Sequence, residues 1–206
     1  MSKNSPKSSD SDHIQNLKLA RRTSVAIGAA FCILFAALVG FTSLRPSPLS
    51  SIGGPFSLIS HTGNTLTEKE FLGRPLLIFF GYTHCLDICP IKLLEISEIL
   101  RVLGPQAEIG AIFVTVDPER DTPDVIKDYL ANFDPRIIGL TGDRAAIESM
   151  LREYGIYAKK AMGKSGDYGV DHTTVVYLMG KDGRLVRILN VDRDPLELAR
   201  ELRFYL

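Results

Sequence analysis

Two cysteines four residues apart, Cys85 and Cys89, stand in the segment GYTHCLDICP, directly after the apolar run PLLIFFGY. If a helix opens near this motif, a spacing of four places both sulfurs on one face, about one turn apart. A helix N-terminus favours thiolate over thiol, so the placement predicts lowered thiol pKa values. Two neighbouring thiolates are either a dithiol that can close to a disulfide or two soft ligands for a metal. A pair of packing cysteines is the bland alternative. It fits less well with a position just beyond a strand end, where open α/β sheets bind their ligands.

Two sulfurs alone do not choose between redox and metal chemistry, and a third ligand would. Of the four histidines, His13 lies in a polar N-terminal stretch and His61 in a turn-prone segment, both expected in solvent. His84 abuts Cys85 and reads as a supporting residue. His172, in VDHTTVV, stands before an apolar strand and gains weight only if the fold brings it to the cysteine loop. Asp87, between the cysteines, adds negative charge or is a solvated acid. Asp117, closing VTVD, is expected at the same sheet end as the cysteines, where it could orient His172 or cap the next helix, a task for which Asp121 and Thr122 are better placed. Cys32 sits alone in an apolar run and reads as packing.

These residues must be positioned by an alternation of apolar runs and helical patterns. Strands are expected at 56–60, 75–82, 109–116, 137–140, 173–179 and 185–189, the first opening a hairpin through His61-Thr-Gly-Asn64. Helices are expected at 88–103, 123–133, 144–154 and 195–204, with Ile91, Leu94, Ile96 and Leu100 of the first available for burial. The pattern is that of an α/β sandwich with a mixed sheet.

The chain has 206 residues, with 24 Lys+Arg against 24 Asp+Glu, so no global basic field argues for nucleic acid. Apolar residues make up 45%, ordinary for a globular protein. The charge is unevenly placed. Residues 1–22 carry five basic and two acidic side chains, and residues 23–42 carry none. Twenty uncharged, mostly apolar residues span roughly 30 Å as a helix, the thickness of a bilayer core. The run is too long for an ordinary signal peptide, and the residues after it make a poor cleavage site. The expected organisation is a cytoplasmic tail (1–22), a transmembrane anchor (23–42), a Ser/Pro/Gly-rich linker (43–54) and a folded domain (55–206). The basic flank places that domain outside the cytoplasm. No phosphate-binding loop, dinucleotide fingerprint or nucleophile elbow occurs.

Three segments, FFGYTHCLDICP, VTVDPERDTPD and DYGVDHTTVVYLMGKDGRL, give the chain from about residue 52 onward a specific likeness: it resembles the Sco/SenC family of membrane-anchored copper proteins. The resemblance implies a thioredoxin-like fold and copper ligands at Cys85, Cys89 and His172. His172 would stand where thioredoxin-like proteins commonly place a cis-proline before a Thr, here Thr173. It further implies delivery of copper to the dinuclear site of cytochrome c oxidase subunit II. The apolar run and its basic flank fit a bacterial inner membrane with the domain on the periplasmic side, and a periplasmic copper donor would leave no mark on this chain. Two thiolates and one imidazole suit three-coordinate Cu(I), whereas structural zinc closes four ligands. The rival expectation is a thiol–disulfide oxidoreductase that uses Cys85 and Cys89 to keep periplasmic cysteines reduced. The family usually has Pro after the first cysteine, and this chain has Leu86; the loss of that restraint is expected to loosen the unloaded loop. Tyr168 and Asp171 belong to the matching stretch without a role that the sequence reveals.

Overall fold

Burial on both faces singles out two central strands. Leu76–Gly81 (β3) and Gly110–Thr115 (β4) are buried at every residue, which is why both read as unbroken apolar runs rather than alternating ones. They lie parallel, Leu76 opposite Gly110 through Gly81 opposite Thr115. The structure, a computed structural model, describes residues 32–37, 52–162 and 167–206.

Around this pair a seven-stranded mixed sheet is built. Ile137–Thr141 (β5) continues it parallel to β4, and Ser57–Ser60 (β1) pairs antiparallel with β5 and with Thr65–Thr67 (β2). On the other side Val176–Met179 (β8) runs antiparallel to β3, and Leu185–Leu189 (β9) forms the edge. The order is β2-β1-β5-β4-β3-β8-β9. Parallel neighbours require crossovers, supplied by helices Ile88–Leu103 (α1) between β3 and β4, and Pro123–Leu130 (α2) between β4 and β5. Arg144–Glu153 (α3) follows β5, and Pro195–Leu202 (α4) closes the chain against α1. The central mixed sheet flanked by helices matches the expected α/β class.

Local chemistry sets the helix starts. Thr122 caps α2, its hydroxyl accepting the Val125 N–H, with Pro123 in the first turn. Asp143 caps α3 and Asp194 caps α4 in the same manner. The start of α1 differs. Asp87 occupies the cap position without a side-chain cap bond, and the Cys89 N–H is directed instead at the Cys85 sulfur, 3.4 Å away. Its far end stops at Gly104, whose φ of 88° suits glycine.

Three expectations are corrected here. The buried stripe of α1 is Cys89, Leu93, Ile96, Leu100 and Leu103, joined by Ile99. Ile91 and Leu94 are about half exposed, because they lie on the face of the helix that carries Glu95, Glu98 and Arg101. The stretch 173–179 is strand only from Val176. A second sheet also went unexpected: Ala158–Met162 (β6) and Tyr168–His172 (β7) pair antiparallel with each other as a two-stranded ribbon.

Residues 1–22 (with His13), most of the apolar run 23–42 and the linker up to residue 51 lie outside the described residues. Residues 32–37 are helical and exposed, Cys32 among them. No helix among the described residues is long and apolar enough to cross a membrane.

Candidate metal centre

The cysteine loop leaves β3 at Gly81, and the reason for a glycine there is steric. A Cβ on Gly81 would stand 2.9 Å from the Cys89 sulfur and 2.8 Å from the Phe113 ring. The sulfur therefore lies directly over the strand end. Tyr82 comes next, largely buried; its carbonyl accepts the Cys85 N–H at 3.2 Å. Thr83 is anchored by Asp121, which takes the Thr83 N–H at 3.0 Å and the Thr83 hydroxyl at 2.6 Å. The same carboxylate takes the Thr115 hydroxyl at 2.6 Å. Asp121 is fully buried and satisfied by three donors, so it locks the loop from below.

His172 comes to this loop from the ribbon. It is the last residue of β7, not the entry to the buried strand, and three residues separate it from β8. Its Nε2 lies 3.7 Å from the Cys89 sulfur, across 83 residues of sequence. The other ring nitrogen, Nδ1, sits 3.0 Å from the Thr173 carbonyl oxygen. A carbonyl can only accept, so Nδ1 carries the proton and the Nε2 lone pair faces the sulfurs, as a metal ligand requires. Cys85, Cys89 and His172 bring their ligand atoms within 4.8 Å of one another, and no fourth His, Cys, Asp or Glu among the described residues joins them.

Burial sets the protonation of the group. It pushes the Cys89 thiol well above its ordinary range, against a hydrogen bond from the Tyr82 backbone that favours the thiolate. The lowering expected at a helix N-terminus is thus outweighed by desolvation for this sulfur. Burial likewise holds the His172 pKa below its ordinary value, keeping the imidazole neutral. Cys85 is partly exposed and Cys89 buried, so the open side of the centre is the Cys85 side. All three cysteines among the described residues are free thiols.

The remaining candidates are distributed differently from expectation. Asp117 is buried at this end of the sheet, but its oxygens hold Arg120 and the Tyr168 hydroxyl, at 2.5 and 3.0 Å, and not His172. His84 is half exposed, 3.1 Å from the Thr83 hydroxyl and 4.0 Å from Asp121, and supports the loop without facing the sulfurs. His61 is not left to solvent: its Nδ1 accepts the Gly139 N–H at 2.9 Å and fastens β5 to the first hairpin. Leu86 is 94% exposed and Asp87 exposed, so replacing the usual Pro by Leu86 removes no packing. Asp171 is exposed. The residues missed were Gly81, Tyr82, Asp121 and Arg120. A glycine at a strand end beside a cysteine motif signals close backbone approach; the other three are visible only as long-range contacts.

The profile of the SCO1/SenC family matches residues 45–206. The mitochondrial SCO1 homolog of Homo sapiens is 36% identical over 159 residues, covering 75% of this chain and 53% of that protein. The chain spans about half the length of the mitochondrial relatives it matches. Among solved structures, Bradyrhizobium japonicum ScoI with copper bound is 52% identical with a TM-score of 0.73, covering 75% of this chain and 99% of that one. Arabidopsis thaliana ScoI with copper bound is 37% identical with a TM-score of 0.69, at 75% and 99% coverage.

Proposed function

The chain belongs to the SCO1/SenC family, and from that premise we propose that it is a copper-carrying protein that binds the metal through Cys85, Cys89 and His172 and hands it on during cytochrome c oxidase assembly. The observation that carries this reading is the convergence of two sulfurs and one correctly oriented imidazole nitrogen within 4.8 Å. Thiolate and imidazole donors select Cu(I) over hard cations, and three donors leave the closed tetrahedron of structural zinc incomplete. Relatives solved with copper bound support the choice of metal.

Transfer needs no acid or base. An acceptor's thiolate enters on the exposed Cys85 side, Cys85 is displaced first, and the metal passes by ligand exchange without being free. Cys89, buried over Gly81, and His172, fixed on its ribbon, are then the last to let go. We place the acceptor as the dinuclear copper site of oxidase subunit II and the domain on the periplasmic side of the inner membrane, tethered by residues 23–42.

The second reading is a thiol–disulfide oxidoreductase. It is favoured by the i, i+4 placement of two free thiols, one of them accessible. The two readings differ in their need for His172. The test has two arms. The Cu(I)-loaded chain is mixed with the purified, reduced copper domain of an oxidase subunit II, and the copper in each protein is counted after separation. The reduced, copper-free chain is mixed with the oxidised domain, and the acceptor's thiols are counted. Transfer by the parent and its loss in His172→Ala supports the copper reading. Reduction of an oxidised acceptor by both proteins alike, with no copper transfer from either, overturns it in favour of the oxidoreductase.

A further inference from the structure

The proposed third ligand stands on a ribbon outside the main sheet. β7 pairs only with β6, and an isolated two-stranded ribbon is marginal in water. Something outside the ribbon must set the height at which His172 meets the sulfurs. Lys160 of β6 pairs with Glu119 and lies over the Tyr168 ring. Several of the contacts from β7 itself meet at Arg120, in the bend between β4 and α2.

Arg120 Nε donates to Asp117 at 2.5 Å, and the other oxygen of Asp117 accepts the Tyr168 hydroxyl at 3.0 Å. The guanidinium lies over the Tyr168 ring, Cζ 3.8 Å from its centroid, and stands 5.8 Å from that of Tyr82. Nη1 reaches Asp167 at 3.3 Å. Nη2 is buried without a hydrogen-bond partner, so one donor is forgone while the flat face of the cation stays in contact with the rings. Tyr82 completes the link: its hydroxyl accepts the Val170 N–H of β7 at 3.2 Å, and its ring meets the His172 ring edge-on at 5.7 Å.

The geometry points to Arg120 as a positioning residue for His172. Its planar cation is wedged between a tyrosine of the ribbon and the tyrosine that precedes the cysteine loop, and it holds the two halves of the ligand set in register. Lysine would keep the charge against Asp117 but supplies neither the plane nor the fork. The inference rests on the copper reading for its consequence, though the placement of His172 is a property of the unloaded protein.

Two variants test it. Arg120→Lys retains the charge, and the pair Asp117→Asn/Arg120→Gln avoids leaving an unpaired buried carboxylate. Each is prepared with and without His172→Ala and titrated with Cu(I) against a chelator; the His172 ring protons of the unloaded proteins are tracked by NMR. The expected result is about tenfold weaker binding in the parent background and less than about twofold in the His172→Ala background, with His172 ring shifts displaced by loss of the edge-on Tyr82 contact. Equal losses in both backgrounds, or unmoved ring shifts, would overturn the inference. Ring shifts that move in a parent unable to bind Cu(I) would uphold the positioning role and remove the copper reading instead.

Discussion

The rings of Tyr82 and His172 meet edge-on, 5.7 Å apart at 81°, and Tyr82 also accepts the Cys85 N–H through its carbonyl. One residue thus touches proposed ligands from both parts of the chain. The edge-on arrangement places a ring edge of positive potential on a π-face, a contact worth about 0.5–1.5 kcal/mol beyond burial. Its larger effect is directional: with Nδ1 committed to Thr173, the imidazole has one way to face the sulfurs.

Gly81 tests how firmly the Cys89 sulfur is held. Gly81→Ala inserts a methyl 2.9 Å from the Cys89 sulfur and against the Phe113 ring. Overpacking of this kind costs about 1–3 kcal/mol, to be read from chemical denaturation of the unloaded protein. Copper affinity is expected to fall as well, because the sulfur itself must move. A variant with parental affinity would show that the sulfur is not held where it stands.

Asp121 tests the support of the loop. Asp121→Ala strips three donors of their acceptor, the Thr83 N–H and the Thr83 and Thr115 hydroxyls. An unsatisfied buried group costs about 1–3 kcal/mol, so a loss of about 3 kcal/mol or more in denaturation is expected. Asp121→Asn keeps acceptor capacity through its carbonyl and should lose less. Hydrogen exchange at Thr83 should quicken in both.

Whether a feature is legible in the sequence depends on whether it is local. The strands β3 and β4 announce themselves because strands covered on both faces are apolar throughout, and α2 does so through Thr122 and Pro123. The bounds of α1 are also readable, and its phase is encoded by Glu95, Glu98 and Arg101, which share the face of Ile91 and Leu94. The ribbon is invisible. Ala158–Met162 carries two adjacent lysines and is mostly exposed, and what fixes it is Tyr168 on Arg120 and Val170 on Tyr82, contacts that no local period encodes. Asp121 reads as a cap residue because the capping pattern is local; its actual partner Thr83 lies 38 residues away. The Cys89 pKa shifts against expectation for the same reason: the helix end is local, and the burial that outweighs it is tertiary.

The pH dependence is set by the two shifts. Cys89, with its pKa raised, is a neutral thiol near pH 7 and must lose its proton to bind metal. Apparent Cu(I) affinity should therefore rise with pH by about tenfold per unit from this proton alone. For the unloaded protein the sign is opposite. Cys89 contributes stability that is present below the ordinary thiol value of 9.0 and lost as pH rises above it. His172, with its pKa lowered, contributes stability present above its ordinary 6.5 and lost as pH falls below it. Denaturation profiles of the unloaded parent, Cys89→Ala and His172→Ala should differ at opposite ends of the pH range.

The measurement that bears most directly on the three-ligand site is a competitive Cu(I) titration of the reduced full-length chain beside Cys85→Ser, Cys89→Ser and His172→Ala. The expected result is one tightly bound copper in the parent, with each substitution weakening it by more than tenfold, about 1.4 kcal/mol. Parental affinity in His172→Ala, with loss only in the cysteine variants, would contradict it and leave a two-sulfur site.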